Sequence, residues 1–113
     1  MIKTQVLVPT RDNDGRAFGR SAWRELERRL LAFGGYSRES GVFGGWTDAS
    51  GRLYNDTSRQ YTVALESWLD LAAWLAVVQW ARTAFRQDAL FIEVAGIPEV
   101  ADGARQARGL SQS

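Results

Sequence analysis

One short stretch, GGWTDASGRLYNDTSRQYTVAL at 44–65, gathers Trp46, Tyr54, Asp56, Ser58, Arg59 and Tyr61. An indole, two phenols, a carboxylate, a hydroxyl and a guanidinium can stack on a flat ligand and orient it with a few polar groups. The same run of Asn, Asp, Thr and Ser also suits a bulged turn, so the stretch reads too as a decorated hairpin.

What the chain lacks narrows the chemistry. There is no cysteine and no histidine, which excludes disulfides, thiolate metal sites and cysteine nucleophiles. It also removes the side chain best poised for proton transfer near neutrality. Catalysis would fall to carboxylates, tyrosines, arginines or Lys3, and no nucleophile–base spacing is visible. Asp12, Asn13, Asp14 and Gly15 begin like a calcium loop, but the later ligands and the closing glutamate are missing, so they read as a turn. The glycine pairs at 34–35 and 44–45 are not followed by Lys-Ser/Thr, so no phosphate cradle is expected. We therefore expect no metal and no cofactor.

Basic residues number 14 against 13 acidic ones for a net charge of +1, which gives no field to attract nucleic acid or an anionic membrane. All the basic residues except Lys3 are arginine, a bias that codon usage explains as well as anion recognition does. The longest apolar run, LAAWLAVV at 71–78, is too short to span a bilayer, and the start, MIKTQVLVPTRD, lacks a signal peptide's pattern. The reading is a cytoplasmic protein.

The elements that must position these residues follow from periodicity. IKTQVLV at 2–8 alternates as a strand and Pro9 ends it. A helix over 21–33 carries Trp23, Leu26, Leu30 and Phe33 on one stripe, with Ser21 as N-cap and Gly34 and Gly35 as its stop. Residues 41–65 form a hairpin around DASG, with a break expected at 55–58 because one unbroken strand there would be long. A second helix spans about 67–86, and ALFIEVA at 89–95 is a last strand. From Pro98 onward little is apolar enough to bury, so the expectation is one domain over 1–97 and a flexible tail over 98–113.

Strand, helix, strand, strand, helix, strand is the α+β, ferredoxin-like βαββαβ pattern: a four-stranded antiparallel sheet with two helices on one face. Its sheet order, 4-1-3-2, sets the first and last strands side by side. Pairing Lys3 with Glu93 there keeps charges on one face and aliphatics on the other.

Two surfaces are left to explain. The second helix needs only Leu71, Trp74, Val78, Ala81 and Phe85 to cover the sheet, yet Leu69, Ala73, Ala76 and Trp80 form another apolar stripe. The open sheet face would carry Gln5, Leu7, Thr62 and Phe91 among others, neither strongly charged nor fully polar. Such surfaces suit a partner. The leading expectation is a non-enzymatic module that forms a homodimer or docks a protein through Leu69, Ala73, Ala76 and Trp80 or through Gln5, Thr62 and Phe91. The alternative is a cofactor-independent enzyme or small-molecule binder with its pocket at the 44–61 hairpin. RNA readers of this layout stack bases on central-strand aromatics, and Phe91 alone does not supply that.

Two segments, GGWTDASGRLYNDTSRQYTVAL and WARTAFRQDALFIEVAG, resemble a family of small bacterial proteins of uncharacterised function. The shared features are a Trp-turn-Gly hairpin leading into a polar-then-aliphatic strand, and an Arg-Phe-Gln ending before the last strand. The resemblance covers the C-terminal two thirds. It implies the ferredoxin-like layout and carries no activity with it.

Overall fold

The computed structural model describes residues 1–47 and 49–103, without the side chains of Trp46 and Tyr54. The elements run β1 (Ile2–Pro9), α1 (Arg20–Leu31), β2 (Ser37–Thr47), β3 (Leu53–Leu65), α2 (Leu71–Ala84), β4 (Ala89–Val94) and β5 (Ile97–Asp102), with a 3-10 turn over Trp68–Asp70 leading into α2. The architecture is α+β. All five strands form one antiparallel sheet in the order β2-β3-β1-β4-β5.

Four strands were expected, and the fifth comes from the segment read as a tail. Ala95 and Gly96 both take positive φ, 53° and 81°, so the chain reverses in two residues between Val94 and Ile97. That is the tight hairpin geometry whose twist matches paired strands. Pro98 does not prevent pairing because β5 lies at the sheet edge, where a missing N–H is tolerated. Residues 104–113, the rest of the expected tail, lie outside the described residues.

The pleat sorts the sheet into two faces. Val6, Val8, Tyr61, Val63, Leu65, Leu90 and Ile92 are buried against Trp23, Leu26 and Leu30 of α1 and Trp74, Val78 and Ala81 of α2. Full burial of one such aliphatic contributes about 1.5–3 kcal/mol. Thr4 shares this face, and its hydroxyl donates to the Val63 carbonyl at 2.7 Å, which satisfies an otherwise costly buried polar group. The β1–β4 register differs from expectation: Gln5, not Lys3, faces Glu93. A slip of two residues preserves every side chain's face, so the hydrophobic pattern alone does not distinguish the two registers.

Local expectations at two other places also change. α1 is entered through Gly19, with no side-chain cap, so Ser21 is not the N-cap. Ser67 caps the 3-10 turn that leads into α2, its side chain accepting from the Leu69 N–H at 3.2 Å. β3 runs without a break through 55–58; the irregularity is on its partner, between Glu39 and Val42. Gly41, with φ 73°, adopts there the left-handed backbone that a bulge of this kind demands.

Candidate functional site

The bulge on β2 determines what surrounds the hairpin. Before it, Arg38 pairs with Tyr61 and shares the helix-side face; after it, Val42 pairs with Ser58 and Gly44 with Asp56 on the open face. One inserted residue thus reverses which β2 positions face the helices. β3 has no such reversal, so its alternation divides the residues that sequence placed together. Asp56 and Ser58 go to the open face. Arg59 and Tyr61 go to the helix side.

On the helix side the polar groups converge on Glu27 of α1. The hydroxyls of Tyr61 and Tyr36 donate to its carboxylate at 2.7 and 2.9 Å, and Arg38 donates at 2.8 Å. Arg59 stands 3.8 Å from the same carboxylate and stacks 4.1 Å over the Trp23 ring. Tyr36 and Tyr61 meet edge to face at 5.7 Å. Burial pushes the Glu27 carboxyl up, but the bonds from Tyr61, Tyr36 and Arg38 together outweigh it and hold the group below its ordinary range. Burial first, then the bond to Glu27, raises the Tyr61 phenol to about 12. Sequence reasoning missed Glu27, Tyr36 and Arg38. The signal for Glu27 was its place beside Leu26 and three residues before Leu30, on the flank of the buried stripe.

The open face holds a groove of about 520 Å³. Leu7, Val42, Phe91 and Val100 make an apolar floor, Gly44 and Gly45 lie along the β2 wall, and Asp56 and Ser58 supply polar groups. Ser58 is buried and Phe91 is 48% exposed. An apolar lining with few polar groups is what small-molecule sites have, commonly over about 300–1,000 Å³. An ideal Cβ built on Gly44 meets nothing within 4 Å, so its missing side chain leaves room above the strand. Beside this groove lies a second, polar hollow of about 350 Å³, with Asp56 lining both.

The remaining expected residues are scattered. Trp46 and Tyr54 pair across the hairpin, but their side chains lie outside the described residues. Gln5 donates to the Thr62 hydroxyl at 3.2 Å, and Phe91 belongs to the groove. On the helical side Leu69 is 92% exposed. Ala73 and Ala76 are exposed, and Trp80 is half-buried under the Arg29 guanidinium at 4.2 Å. Among the described residues there is no group of three or more acidic side chains placed to hold a metal. Asp12, at the start of the calcium-like run, accepts from its own loop at the N–H groups of Asp14 and Arg16, both at 2.9 Å. No described helix is long and apolar enough to cross a membrane.

Solved structures share this fold. A phage SAM lyase in complex with S-methyl-5′-thioadenosine superposes with a TM-score of 0.67 at 20% identity, over 88% of this chain and 86% of its own. A phage SAM lyase in the apo state gives a TM-score of 0.62 at 17% identity, with the same coverages of 88% and 86%. No protein-family model and no curated protein matches the chain, so the resemblance to a small bacterial family gains no family assignment. The solved structures correct the functional expectation. The fold read as a non-enzymatic docking module is the fold of an enzyme that binds a small nucleoside, which favours the alternative reading over the leading one.

Proposed function

We propose that this chain is a lyase acting on S-adenosylmethionine, with the open-face groove as its substrate site. We also read its layout as ferredoxin-like, with β5 added beside β4. One observation carries the functional reading: a fold shared with a phage SAM lyase over most of both chains holds, on its open face, an apolar groove of ligand size.

The chemistry suits this composition. Cleavage that releases S-methyl-5′-thioadenosine breaks the bond between the sulfonium sulfur and Cγ of the methionine chain. The bonding pair stays on sulfur and cancels its positive charge. An oxygen of the substrate's own carboxylate attacks Cγ and closes a five-membered lactone. Atoms and charge balance with no proton moved and no other reactant consumed. The leaving group is a neutral thioether that needs no acid, and the nucleophile is internal and needs no base. A chain without histidine or cysteine is equipped for that step.

What the protein must supply is shape and a dry surface. Sulfonium and carboxylate charges merge in the transition state, so a floor of Leu7, Val42, Phe91 and Val100 that sheds water favours it over the hydrated ground state. Folding the methionine chain so that its carboxylate meets Cγ is a matter of orientation, which groove walls provide. Asp56 and Ser58 are the polar groups positioned to fix the ligand's direction.

The test is direct. Purified protein incubated with S-adenosylmethionine should release S-methyl-5′-thioadenosine, followed by chromatography. Gly44→Leu places a side chain in the open groove without meeting other atoms at its Cβ. It should lower the rate by about 100-fold, the scale of a misplaced substrate, with an unchanged melting temperature. No product from the wild-type protein would end the lyase reading. Full activity in Gly44→Leu would end the assignment of the groove.

A further inference from the structure

The groove accounts for only part of the proposed substrate. Its floor suits the adenine and thioether, yet S-adenosylmethionine ends in an ammonium and a carboxylate. The second hollow has Arg11, Asn13, Asn55 and Asp56 in its lining. Unlike the groove, it has no aliphatic or aromatic side chain in its lining. Asp56 lines both spaces, so the two meet at one residue.

The loop that walls this hollow is held by its own hydrogen bonds. The Asp12 carboxylate accepts from the N–H groups of Asp14 and Arg16, and Gly15 takes a φ of 82° that closes the turn. One Arg11 N–H donates to the Gly15 carbonyl at 2.9 Å, which fixes the guanidinium to the hollow's rim. Arginine's planar fork offers further N–H groups, a geometry matched to a carboxylate. Arg11 and Asp56 thus offer opposite charges to a ligand end that also carries both.

We propose that the polar hollow is the subsite for the substrate's amino-acid end, with Arg11 receiving the carboxylate and Asp56 the ammonium. Asn13 and Asn55 line the same space and complete its polar wall. The inference rests on the lyase reading and deepens it. Holding one carboxylate oxygen at Arg11 leaves the other to attack Cγ, and the held oxygen becomes the lactone carbonyl. The product S-methyl-5′-thioadenosine has no amino-acid end, so it occupies the groove alone and loses the hollow's contacts on release.

Two uncleaved probes separate the subsites. S-adenosylhomocysteine has the amino-acid end but no sulfonium charge, and S-methyl-5′-thioadenosine lacks the amino-acid end. Calorimetric titration of Arg11→Ala should weaken S-adenosylhomocysteine by about 10-fold, the scale of one charge-assisted bond. Affinity for S-methyl-5′-thioadenosine should stay within about twofold. Asp56→Asn, nearly isosteric, removes the charge that would receive the ammonium and should reproduce this selective loss without removing the Arg11 contact to Gly15. Parallel losses of both probes, or no loss of either, would overturn the subsite assignment. Those outcomes differ from failure of the lyase reading itself, in which the wild-type protein releases no product from S-adenosylmethionine and neither probe binds.

Discussion

The two faces of β3 carry polar residues of similar kinds to different ends. On the helix side, Arg59 and Tyr61 join Tyr36 and Arg38 around the Glu27 carboxylate, whose side chain is 19% exposed. The donors there are directed at an acceptor of the same chain. On the open side, Asp56 and Ser58 stand over a floor of aliphatic and aromatic side chains beside space wide enough for a ligand. A satisfied internal network rigidifies and specifies packing. Sparse polar groups on an apolar surface select and orient a visitor. The difference teaches that residue type marks polarity, while the pleat decides whether that polarity serves the fold or the ligand.

Removing the centre of the helix-side network should have the largest effect. Glu27→Ala leaves two phenols and two guanidinium groups without their shared carboxylate. Breaking a largely buried, hydrogen-bonded charge cluster costs about 3 kcal/mol. Urea unfolding should record that loss, while turnover per folded molecule stays near the wild-type value. A stability change below about 0.5 kcal/mol, the range of ordinary surface substitutions, would break the comparison from the helix side.

The complementary change on the other face should be smaller in free energy and opposite in kind. Asp56→Asn keeps the size of the side chain and removes its charge. It should weaken substrate binding by about 10-fold, or about 1.4 kcal/mol, with a smaller loss of stability than Glu27→Ala. Steady-state kinetics and thermal unfolding on one preparation check both halves. A variant that binds normally but unfolds more easily would place Asp56 with the structural network.

Much of this division was legible in the sequence and some was not. The alternation of Val6 and Val8 against Gln5 and Leu7 placed β1's faces correctly, because a half-buried strand writes its burial with period two. The stripe of Trp74, Val78, Ala81 and Phe85 did the same for α2 with its helical period. Asp56 and Ser58 were seen as polar candidates, but the expected break at 55–58 hid the continuous alternation that separates them from Arg59 and Tyr61. The bulge was assigned to β3 on its Asn-Asp-Thr-Ser composition, whereas the backbone that needs it is Gly41 on β2. Ala95–Gly96 was missed as a turn because alanine rarely takes positive φ, and with it β5 was lost. Glu27 was overlooked because its place on the flank of the buried stripe does not by itself reveal that Tyr36, Arg38, Arg59 and Tyr61 converge on it. Phe91 was noticed as an unexplained surface aromatic and assigned to a partner protein, although a groove explains it as well.

The smallest expected effect at neutral pH has the most specific signature. Tyr61→Phe removes one of the donors to Glu27 and leaves Tyr36 and Arg38 in place. The cost should be about 1 kcal/mol, as for a single hydrogen bond. Its pH dependence separates the network from simple packing. The Tyr61 phenol is raised from 10.0 to about 12, so the folded chain holds this proton more tightly than the unfolded one. Its contribution is therefore complete below pH 10 and is lost as the pH rises to about 12. Glu27 behaves in the opposite sense. Its carboxyl is held below 4.5 in the folded chain, so its contribution is present above that value and falls away as acid protonates it. Unfolding measured at pH 8 and pH 11 should show the gap between wild type and Tyr61→Phe narrowing in alkali, where the wild-type phenol becomes a liability that phenylalanine lacks. An equal gap at both values would mean that Tyr61 acts through its ring alone, and the helix-side cluster would then differ from the groove in packing and not in how its polar groups are satisfied.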